Sequence, residues 1–233
     1  MKFERVVVIG CGGTGSFLIN PLCRYLLNHE CEIILCDGDS YQPNNINRQN
    51  FNTKFMNTNK AEYQAMATIS AMPSMESRIS VIDRYLGKDD LPTLIKEKTL
   101  VINCADNISI RKYVEDHIST LNTAAHICCG NENIRGQVQL SFIMNDTRLT
   151  HTIYDKYPEF NQEKDDKSKM SCEQLSALPS GGQLICSNFM CAALALAYIH
   201  RLFSNKNLDG DSGIDFNLII NSFNIHFPRE LNF

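Results

Sequence analysis

The sequence predicts an α/β fold built on a doubly wound mixed sheet, parallel in its first half and with antiparallel strands in its second half. Short continuous apolar runs, which are typical of strands buried on both faces, alternate with apolar residues at helical spacing through residues 5–121. The first run ends at a glycine-rich segment, residues 10–15, that opens a helix. Two longer runs at 136–144 and 216–227 have no short helical crossover between them, so antiparallel pairing is expected there.

Each expected element follows from the spacing of its apolar residues. Strands are expected at 5–9, 32–36, 78–83, 100–104, 136–144 and 216–227, with a further apolar run at 123–128. Helices are expected at 13–27, 60–72, 91–98, 109–121 and 187–203, the last of them buried. Pro21 is expected to disturb the first helix only locally. The Asn-rich stretch 41–59 is expected to be a loop, and residues 154–186 a flexible crossover loop.

The bulk composition favours one soluble globular domain over residues 1–233, with 43% hydrophobic and 21% charged residues. The net charge of −4 supplies no positive field for nucleic acid, and no apolar run reaches the roughly 20 residues that cross a bilayer. The 10 cysteines lie in apolar segments such as 33–36 and 101–104, and no C-x-x-C pair occurs. We therefore expect a cytoplasmic protein with no structural zinc, no membrane contact and no nucleic-acid partner.

A glycine motif marks the expected ligand site. Gly10, Gly12 and Gly15 match G-x-G-x-x-G, with Gly13 inside it, at the junction of a strand and a helix. Glycine lets the backbone approach a phosphate there, and the helix N-terminus offers unpaired N–H groups. Asp37 ends the second strand, where a Rossmann-like fold places an acid on ribose hydroxyls. The motif predicts nucleotide binding rather than a bare tight turn, and by itself leaves an NAD-dependent oxidoreductase open.

Several polar segments should meet at the same edge of the sheet. They are residues 37–39 with Asp39, residues 44–51 with Asn45, Arg48 and Gln49, residues 59–62 with Lys60, and residues 103–107 with Asp106 and Asn107, followed by Arg111. Cations at 48 and 60 suit a polyphosphate whose charge grows at a reacting phosphorus better than a hydride donor. A carboxylate at 106, just past a central strand, can hold Mg²⁺. The alternatives are solvated loop cations and a helix-capping aspartate.

Taken in order, these motifs resemble the ThiF/MoeB/ubiquitin-activating superfamily. The shared pattern is G-x-G-G-x-G, D-x-D, N-x-x-R-Q, a lysine before the next helix and D-N-x-x-x-R, and it spans residues 10–111. The resemblance implies a ThiF/MoeB-like fold and a site for ATP and Mg²⁺. In that site Asp37 would bind ribose, Asp106 would organise Mg²⁺, and Asn45, Arg48 and Lys60 would contact the phosphates. Asp39, Gln49 and Asn107 belong to the same motifs and are included in the expected nucleotide site.

The second half resembles the ThiF-like proteins of mobile-element cassettes of the PRTRC type, through residues 130–132, 136–138 and 171–174. Cys172 lies in the expected crossover loop, where a thiolate of a related activating enzyme can attack an adenylate, so it is the candidate nucleophile. The alternative is that one of the 10 cysteines falls in a loop by chance. His126 and His151 are interpreted as structural residues.

The resemblance implies an ATP-dependent adenylyltransferase that activates a carboxylate through an acyl adenylate. The expected substrate is the C-terminus of a ubiquitin-like or sulfur-carrier protein, and the expected assembly is a homodimer to which the helix at 187–203 contributes. Relatives commonly carry an arginine on a helix before the first strand, and no such arginine precedes residue 5 here. A nucleotide-binding scaffold or sensor without catalysis therefore stays the second interpretation, and the NAD oxidoreductase the third.

Overall fold

The computed structural model describes residues 2–131, 135–156, 184–204, 213–217 and 222–226. Strands and helices alternate through the first 118 residues, as expected from their apolar spacing. The elements are β1 (Arg5–Ile9), α1 (Gly13–Tyr25), β2 (Glu32–Cys36), α2 (Lys60–Ala71), β3 (Ile79–Ile82), α3 (Leu91–Leu94), β4 (Thr99–Asn103), α4 (Ile108–Ile118), β5 (Ala124–Asn131), β6 (Arg135–Met144), β7 (Thr147–Arg148), α5 (Ile153–Lys156), α6 (Ile185–Phe203), β8 (Gly213–Asn217) and β9 (Ser222–His226).

One nine-stranded sheet, in the order β3-β2-β1-β4-β5-β6-β8-β9 with β7 paired to β6, organises the described residues. Strands β1 to β5 pair in parallel, and every pair from β5–β6 onward is antiparallel. The expected mixed sheet is therefore confirmed. The last residue of β1, Ile9, lies level with Cys36 of β2 and Asn103 of β4, so these three strands end together at one edge. Parallel sheets bind ligands at this carboxyl edge.

Three predicted elements differ from the structure. The single strand expected at 216–227 is two strands, β8 and β9, which pair antiparallel, because the same apolar pattern serves one long strand or a hairpin equally well. The helix expected at 91–98 ends at Leu94, since Ile95 is extended and Lys98 has a φ of 57°. The loop expected at 154–186 begins with residues of α5 and ends with residues of α6, and residues 157–183 lie outside the described chain.

The sheet carries a separate apolar core on each face. One core packs α1, α2 and α6 against the strands, and the other packs α3 and α4. The helix expected to be buried at 187–203 is buried on one face only, since Phe189 is 59% exposed and Ile185, just before that range, is 51% exposed. Among the described residues, α6 is also long and apolar enough to cross a membrane, and 44% of that stretch is buried in the fold. Core helices of soluble proteins often have the same length and composition.

A buried polar cluster ties α4 to strands β5 and β6. The Glu115 carboxylate accepts hydrogen bonds from the Nδ1 of His126 at 3.0 Å and from the hydroxyl of Ser141 at 2.7 Å. Arg148 donates to the Ser141 hydroxyl at 2.7 Å and lies 3.6 Å from the carboxylate. Both Glu115 and His126 are almost completely buried, and they lie outside the residues that line the cavity described below. This geometry supports the structural interpretation of His126.

Candidate functional site

A cavity of about 460 Å³ lies at the carboxyl edge of the sheet, above the ends of β1, β2 and β4. Its size is that of a small-molecule or cofactor pocket. Most of the expected site residues line it, although they come from five separate segments of the chain. They are Gly10, Gly12, Gly13, Asp37, Asp39, Arg48, Gln49, Lys60, Asp106 and Asn107. The structure therefore brings together the segments that the sequence motifs singled out.

The glycine loop packs too closely for any side chain at two positions. Gly10 has a φ of +88°, and a Cβ placed on it would lie 2.7 Å from the backbone nitrogen of Ala105. Gly15 does not line the cavity; a Cβ there would lie 2.1 Å from the carbonyl oxygen of Gly10. The first turn of α1 consequently sits directly on the end of β1. Gly12, Gly13 and Thr14 line the cavity at this turn, and the first amides of a helix are the groups that its N-terminus offers to phosphate.

Asp37 lies at the end of β2 with each carboxylate oxygen held by one backbone amide. The Cys11 amide donates at 2.7 Å and the Asp39 amide at 2.9 Å. Burial raises the pKa of Asp37, and the nearby charge of Lys60 opposes that rise. The two amides fix the direction of a carboxylate that lines the cavity beside the glycine loop. Such a carboxylate is suited to accept hydrogen bonds from ribose hydroxyls.

Asp39 and Lys60 form an ion pair on the cavity wall. The Lys60 ammonium lies 2.9 Å from the Asp39 carboxylate, and Lys60 is only 3% exposed. The Tyr85 hydroxyl donates to the other oxygen of the same carboxylate. Burial by itself would raise the pKa of Asp39, but the Tyr85 hydrogen bond and the Lys60 charge hold it below its ordinary value. The pair keeps a buried cation directed at the cavity, which rules out the solvated-loop interpretation of Lys60.

Arg48 and Gln49 reach the cavity from the loop between β2 and α2. Both are buried, at 3% and 6% exposed, so Arg48 is also not a solvated loop charge. Their backbone amides donate to the carbonyl of Asn45 at 3.1 and 2.9 Å. Asn45 itself is fully buried and does not line the cavity; its side-chain oxygen accepts from the Gln42 amide at 2.9 Å. The structure thus gives Asn45 the position of a residue that shapes the loop, not that of a phosphate ligand.

Asp106 follows β4 and faces the cavity as an exposed carboxylate. The N-cap of α4 is Asn107, whose side-chain oxygen accepts from the Ile110 amide at 3.0 Å. The alternative in which Asp106 is the helix cap was therefore wrong. With the neighbouring amide satisfied by Asn107, the Asp106 carboxylate is left to contact a ligand or a cation.

Arg111 fixes the loop that carries Asp106. Its guanidinium donates to the carbonyl of Ala105 at 2.7 and 2.9 Å and to the carbonyl of Cys129 at 2.8 Å, and the residue is 8% exposed. One side chain of α4 thereby joins the carboxyl ends of β4 and β5. Arg111, the arginine of the D-N-x-x-x-R motif, therefore positions the loop. The sequence pattern alone did not specify this role.

Replacing Arg111 with methionine is expected to lower the free energy of unfolding by about 2 kcal/mol. The change leaves two backbone carbonyls without their charged donor, and such hydrogen bonds are worth about 1.5–3 kcal/mol. Urea denaturation measures the effect. The exposed Arg135→Met is the control, with an expected change within about 0.5 kcal/mol. Equal losses in the two variants would contradict the role given to Arg111.

The remaining wall was not predicted from the sequence. It is formed by Arg84, Tyr85 and Leu86 after β3, and by Ile110 and Tyr113 one helical turn apart on α4. Tyr85 also packs over Gly38, where a Cβ would lie 2.6 Å from its ring. No sequence motif covers these residues, and only the helical spacing of 110 and 113 hinted that they share a face. Together they give the cavity an apolar and aromatic side suited to a planar base.

The candidate nucleophile, Cys172, lies outside the described residues, so its role stays a prediction. Of the cysteines described, Cys36 and Cys104 line the cavity, and burial raises the pKa of Cys36 to about 12. A hydrogen bond with Cys129, together with burial, raises the pKa of Cys104 well above its usual range. Burial likewise raises the pKa of Cys11, which lies in the glycine loop. A raised pKa disfavours the thiolate, so none of these three cysteines is set up as a nucleophile.

The fold and the cavity define a Rossmann-like α/β protein whose ligand site lies at the carboxyl edge of a mixed sheet. The chain belongs to the ThiF family, whose family model matches residues 1–228. The resemblance expected from the motifs is therefore confirmed.

Curated relatives align with about half of this chain. The adenylyltransferase and sulfurtransferase MOCS3 of Danio rerio is 28% identical over 114 residues, which cover 48% of this chain and 23% of that protein. MOCS3 of Drosophila virilis is 26% identical over 123 residues, which cover 52% of this chain and 26% of that protein. The chain thus spans about a quarter of the length of these relatives.

Solved structures match nearly the whole chain. E. coli MccB with succinimide superposes with a TM-score of 0.72 at 19% identity, covering 96% of this chain and 63% of that one. PaaA superposes with a TM-score of 0.69 at 15% identity, covering 96% of this chain and 72% of that one. At such identities the likeness establishes the fold, which is the ThiF-like architecture expected from the sequence.

Proposed function

We propose that this protein is an ATP-dependent adenylyltransferase that activates a carboxylate as an acyl adenylate. The observation that carries the proposal is the convergence of the glycine loop, Asp37, Arg48, Lys60 and Asp106 on one cavity. This set offers amides and two buried cations for phosphates, a carboxylate for ribose and a second carboxylate for a cation. The adenylyltransferase names of the curated relatives and the MccB structure with ATP support the same nucleotide.

In the proposed reaction a substrate carboxylate oxygen attacks the α-phosphorus of ATP. A bond forms between that oxygen and the α-phosphorus, the bond from the α-phosphorus to the bridging oxygen breaks, and pyrophosphate leaves with the electron pair. No proton is transferred in this step. Negative charge grows on the phosphate oxygens, and the Lys60 ammonium, the Arg48 guanidinium and the glycine-loop amides stabilise it. Because these groups are already held in place, the chemistry depends on positioning.

The residues present fit a Mg²⁺ ion bound jointly with the nucleotide. Among the described residues there is no group of three or more His, Cys, Asp or Glu side chains that would hold a metal by itself. Mg²⁺ in nucleotide sites needs only one or two carboxylates, since phosphate oxygens and water complete its shell. Asp106 is the carboxylate that would hold it. When bound, the cation would neutralise charge on the phosphates and on the departing pyrophosphate.

The proposed substrate is the C-terminus of a ubiquitin-like or sulfur-carrier protein. The resemblance to ubiquitin-activating enzymes supports it, and so does the pairing of adenylyltransferase with sulfurtransferase in the names of the curated relatives. The proposal includes a homodimer in the cytoplasm and a nucleophilic role for Cys172 after adenylate formation. A covalent complex with the partner that has already released adenosine monophosphate would support that last role. It should form with wild-type protein and not with Cys172→Ala.

The test is exchange of labelled pyrophosphate into ATP in the presence of a purified ubiquitin-like protein ending in two glycines. We expect exchange that requires both the partner and Mg²⁺. Tight binding of ATP, with no pyrophosphate exchange in the presence of any carboxylate substrate, would favour the scaffold interpretation. Binding of NAD in place of ATP would overturn the proposal and revive the oxidoreductase.

Replacing Asp106 with asparagine is expected to weaken binding of MgATP about tenfold and to leave the affinity for adenosine unchanged. The change removes the charge that holds the cation and keeps the size of the side chain, and a charged hydrogen-bonding contact is worth about 1.5–3 kcal/mol. Calorimetric titration with and without Mg²⁺ measures both affinities. The exposed Asp89→Asn lies outside the cavity and is the matched control. An unchanged magnesium dependence in Asp106→Asn would remove Asp106 from the metal site.

A further inference from the structure

A chain of side-chain hydrogen bonds connects the first turn of α1 with the Arg48 loop, and both of these segments line the cavity. The Thr14 hydroxyl donates to the side-chain oxygen of Asn131 at 3.3 Å. The Asn131 amide donates to the side-chain oxygen of Asn188 at 2.6 Å, and the Asn188 amide donates to the carbonyl of Arg48 at 2.9 Å. We call Thr14, Asn131, Asn188 and the Arg48 carbonyl the amide relay.

The amide relay joins parts of the chain that no local motif connects. Thr14 and Asn131 are 117 residues apart, and Arg48 and Asn188 are 140 residues apart. The relay runs from the first turn of α1, past the end of β5 and through the first turns of α6, to the Arg48 loop. Thr14 and Arg48 line the cavity, and they are the two ends of the relay.

The relay depends on one buried side-chain amide, that of Asn188. Asn188 is completely buried, on a helix face that packs against α1, β5 and β6 through apolar residues. A buried side-chain amide costs stability unless its hydrogen bonds are made, and an apolar residue of similar volume would fill the same space. An amide at this position therefore indicates a requirement for the two hydrogen bonds that it makes.

Asn188 also completes the fixation of the Arg48 backbone. The Arg48 amide donates to the Asn45 carbonyl at 3.1 Å on one side, and the Arg48 carbonyl accepts from Asn188 on the other. Because the peptide groups on both sides of Arg48 are held, the position of its Cα relative to α1 is fixed. The relay therefore links the backbone of Arg48 to the first turn of α1.

We propose that Asn188, acting through Asn131 and Thr14, is a positioning residue that holds Arg48 and the glycine loop at the spacing required for the phosphates of the nucleotide. The inference rests on the proposed function, because it assumes that phosphates occupy this end of the cavity. Asn188 does not contact the nucleotide in this scheme. The relay acts on the phosphate end only, since the apolar wall at Tyr85, Ile110 and Tyr113 lies outside it.

The test compares the affinities for adenosine and for MgATP. The measured quantity is the dissociation constant for adenosine divided by that for MgATP. In wild-type protein MgATP should bind more tightly, and the ratio reports what the phosphates contribute. We expect Asn188→Leu to lower this ratio about tenfold at unchanged adenosine affinity, because the loss of one well-aligned charged hydrogen bond to a phosphate weakens binding about tenfold or more. Asn188→Asp keeps the acceptor for Asn131 and loses the donor to Arg48, so it should also lower the ratio. This second variant keeps the test decisive if the leucine variant does not fold.

Tyr198→Phe is the matched control for a loss of stability alone. Tyr198 is buried on the same helix, ten residues further along and therefore about 15 Å away. Its ratio should equal that of wild type even where its melting temperature falls. An unchanged ratio in folded Asn188→Leu or Asn188→Asp, with wild-type protein binding MgATP more tightly than adenosine, would overturn the positioning role. If wild-type protein shows no preference for MgATP over adenosine, the proposed function fails, and the role of the relay fails with it.

Discussion

Replacing Lys60 with methionine is expected to lower the rate of partner-dependent pyrophosphate exchange about 10²–10³-fold. Methionine is unbranched, one atom shorter than lysine and of similar helix propensity, so the change mainly removes a buried cation from the cavity wall at the start of α2. Lys60 is held on that wall by Asp39, so it is oriented before the nucleotide arrives. A preoriented cation stabilises growing phosphate charge without reorganisation, and this is why its loss should weigh mainly on the rate.

The same substitution should change how stability depends on pH. The pKa of Asp39 in the folded protein lies below its ordinary value, so the ionised carboxylate contributes stability above the unfolded pKa of about 3.9. That contribution is lost as the pH falls through the folded-state pKa. Lys60→Met removes one of the two groups that hold the pKa down. The difference in unfolding free energy between wild type and variant should therefore be largest near neutral pH and shrink below about pH 4.

Lys54→Met is the control for Lys60→Met. Lys54 is exposed, lies outside the cavity and belongs to the same loop region before α2. Its exchange rate and its pH profile of stability should match those of wild type. An exchange rate in Lys60→Met within about threefold of wild type would show that Lys60 is a structural partner of Asp39 and not a phosphate contact, since a lost transition-state contact costs about 10² or more.

Replacing Gly15 with alanine is expected to lower the free energy of unfolding by about 3 kcal/mol or more and to abolish measurable nucleotide binding. The added Cβ would lie 2.1 Å from the carbonyl oxygen of Gly10 and 3.0 Å from its carbonyl carbon, and both are backbone atoms. No rotation of a side chain relieves that contact, so α1 must move away from β1 by about 1 Å. The movement carries the amides of the glycine loop out of register with a phosphate.

Thermal unfolding and calorimetric titration measure the two effects. A loss of about 3 kcal/mol corresponds to a fall in melting temperature of roughly 6–12 °C for a chain of this size. Gly87→Ala is the matched control, because its φ is −105° and the nearest atom to its added Cβ is 3.8 Å away. That variant should stay within about 1 kcal/mol of wild type and bind ATP normally. Normal binding by Gly15→Ala would place the phosphates elsewhere in the cavity.

Much of the first half of the fold followed from the sequence. Strands β1, β2 and β4 are short runs of buried aliphatic residues, and runs buried on both faces are typical of a parallel sheet covered by helices. The glycine motif and Asp37 have fixed places relative to those strands, so their position in the cavity followed as well.

The second half was less predictable, because its patterns fit more than one arrangement. The apolar residues near 216–227 fit one strand or the β8–β9 hairpin, and local spacing does not distinguish these. The exposure of Ile185 and Phe189 was missed for a similar reason: α6 is apolar nearly all round, so its sequence does not reveal which face packs.

The sequence by itself determined the sheet class, the ligand edge and most of the chemical groups around the cavity, because each is encoded in a run of fewer than about 20 residues. Only the tertiary structure decided how those groups are held. The Tyr85 contact to Asp39, the Arg111 bonds to two strand ends and the amide relay each join residues from different elements. Such contacts depend on how packed elements meet in space, and no periodicity or motif in one segment specifies the side chain that another segment places against it.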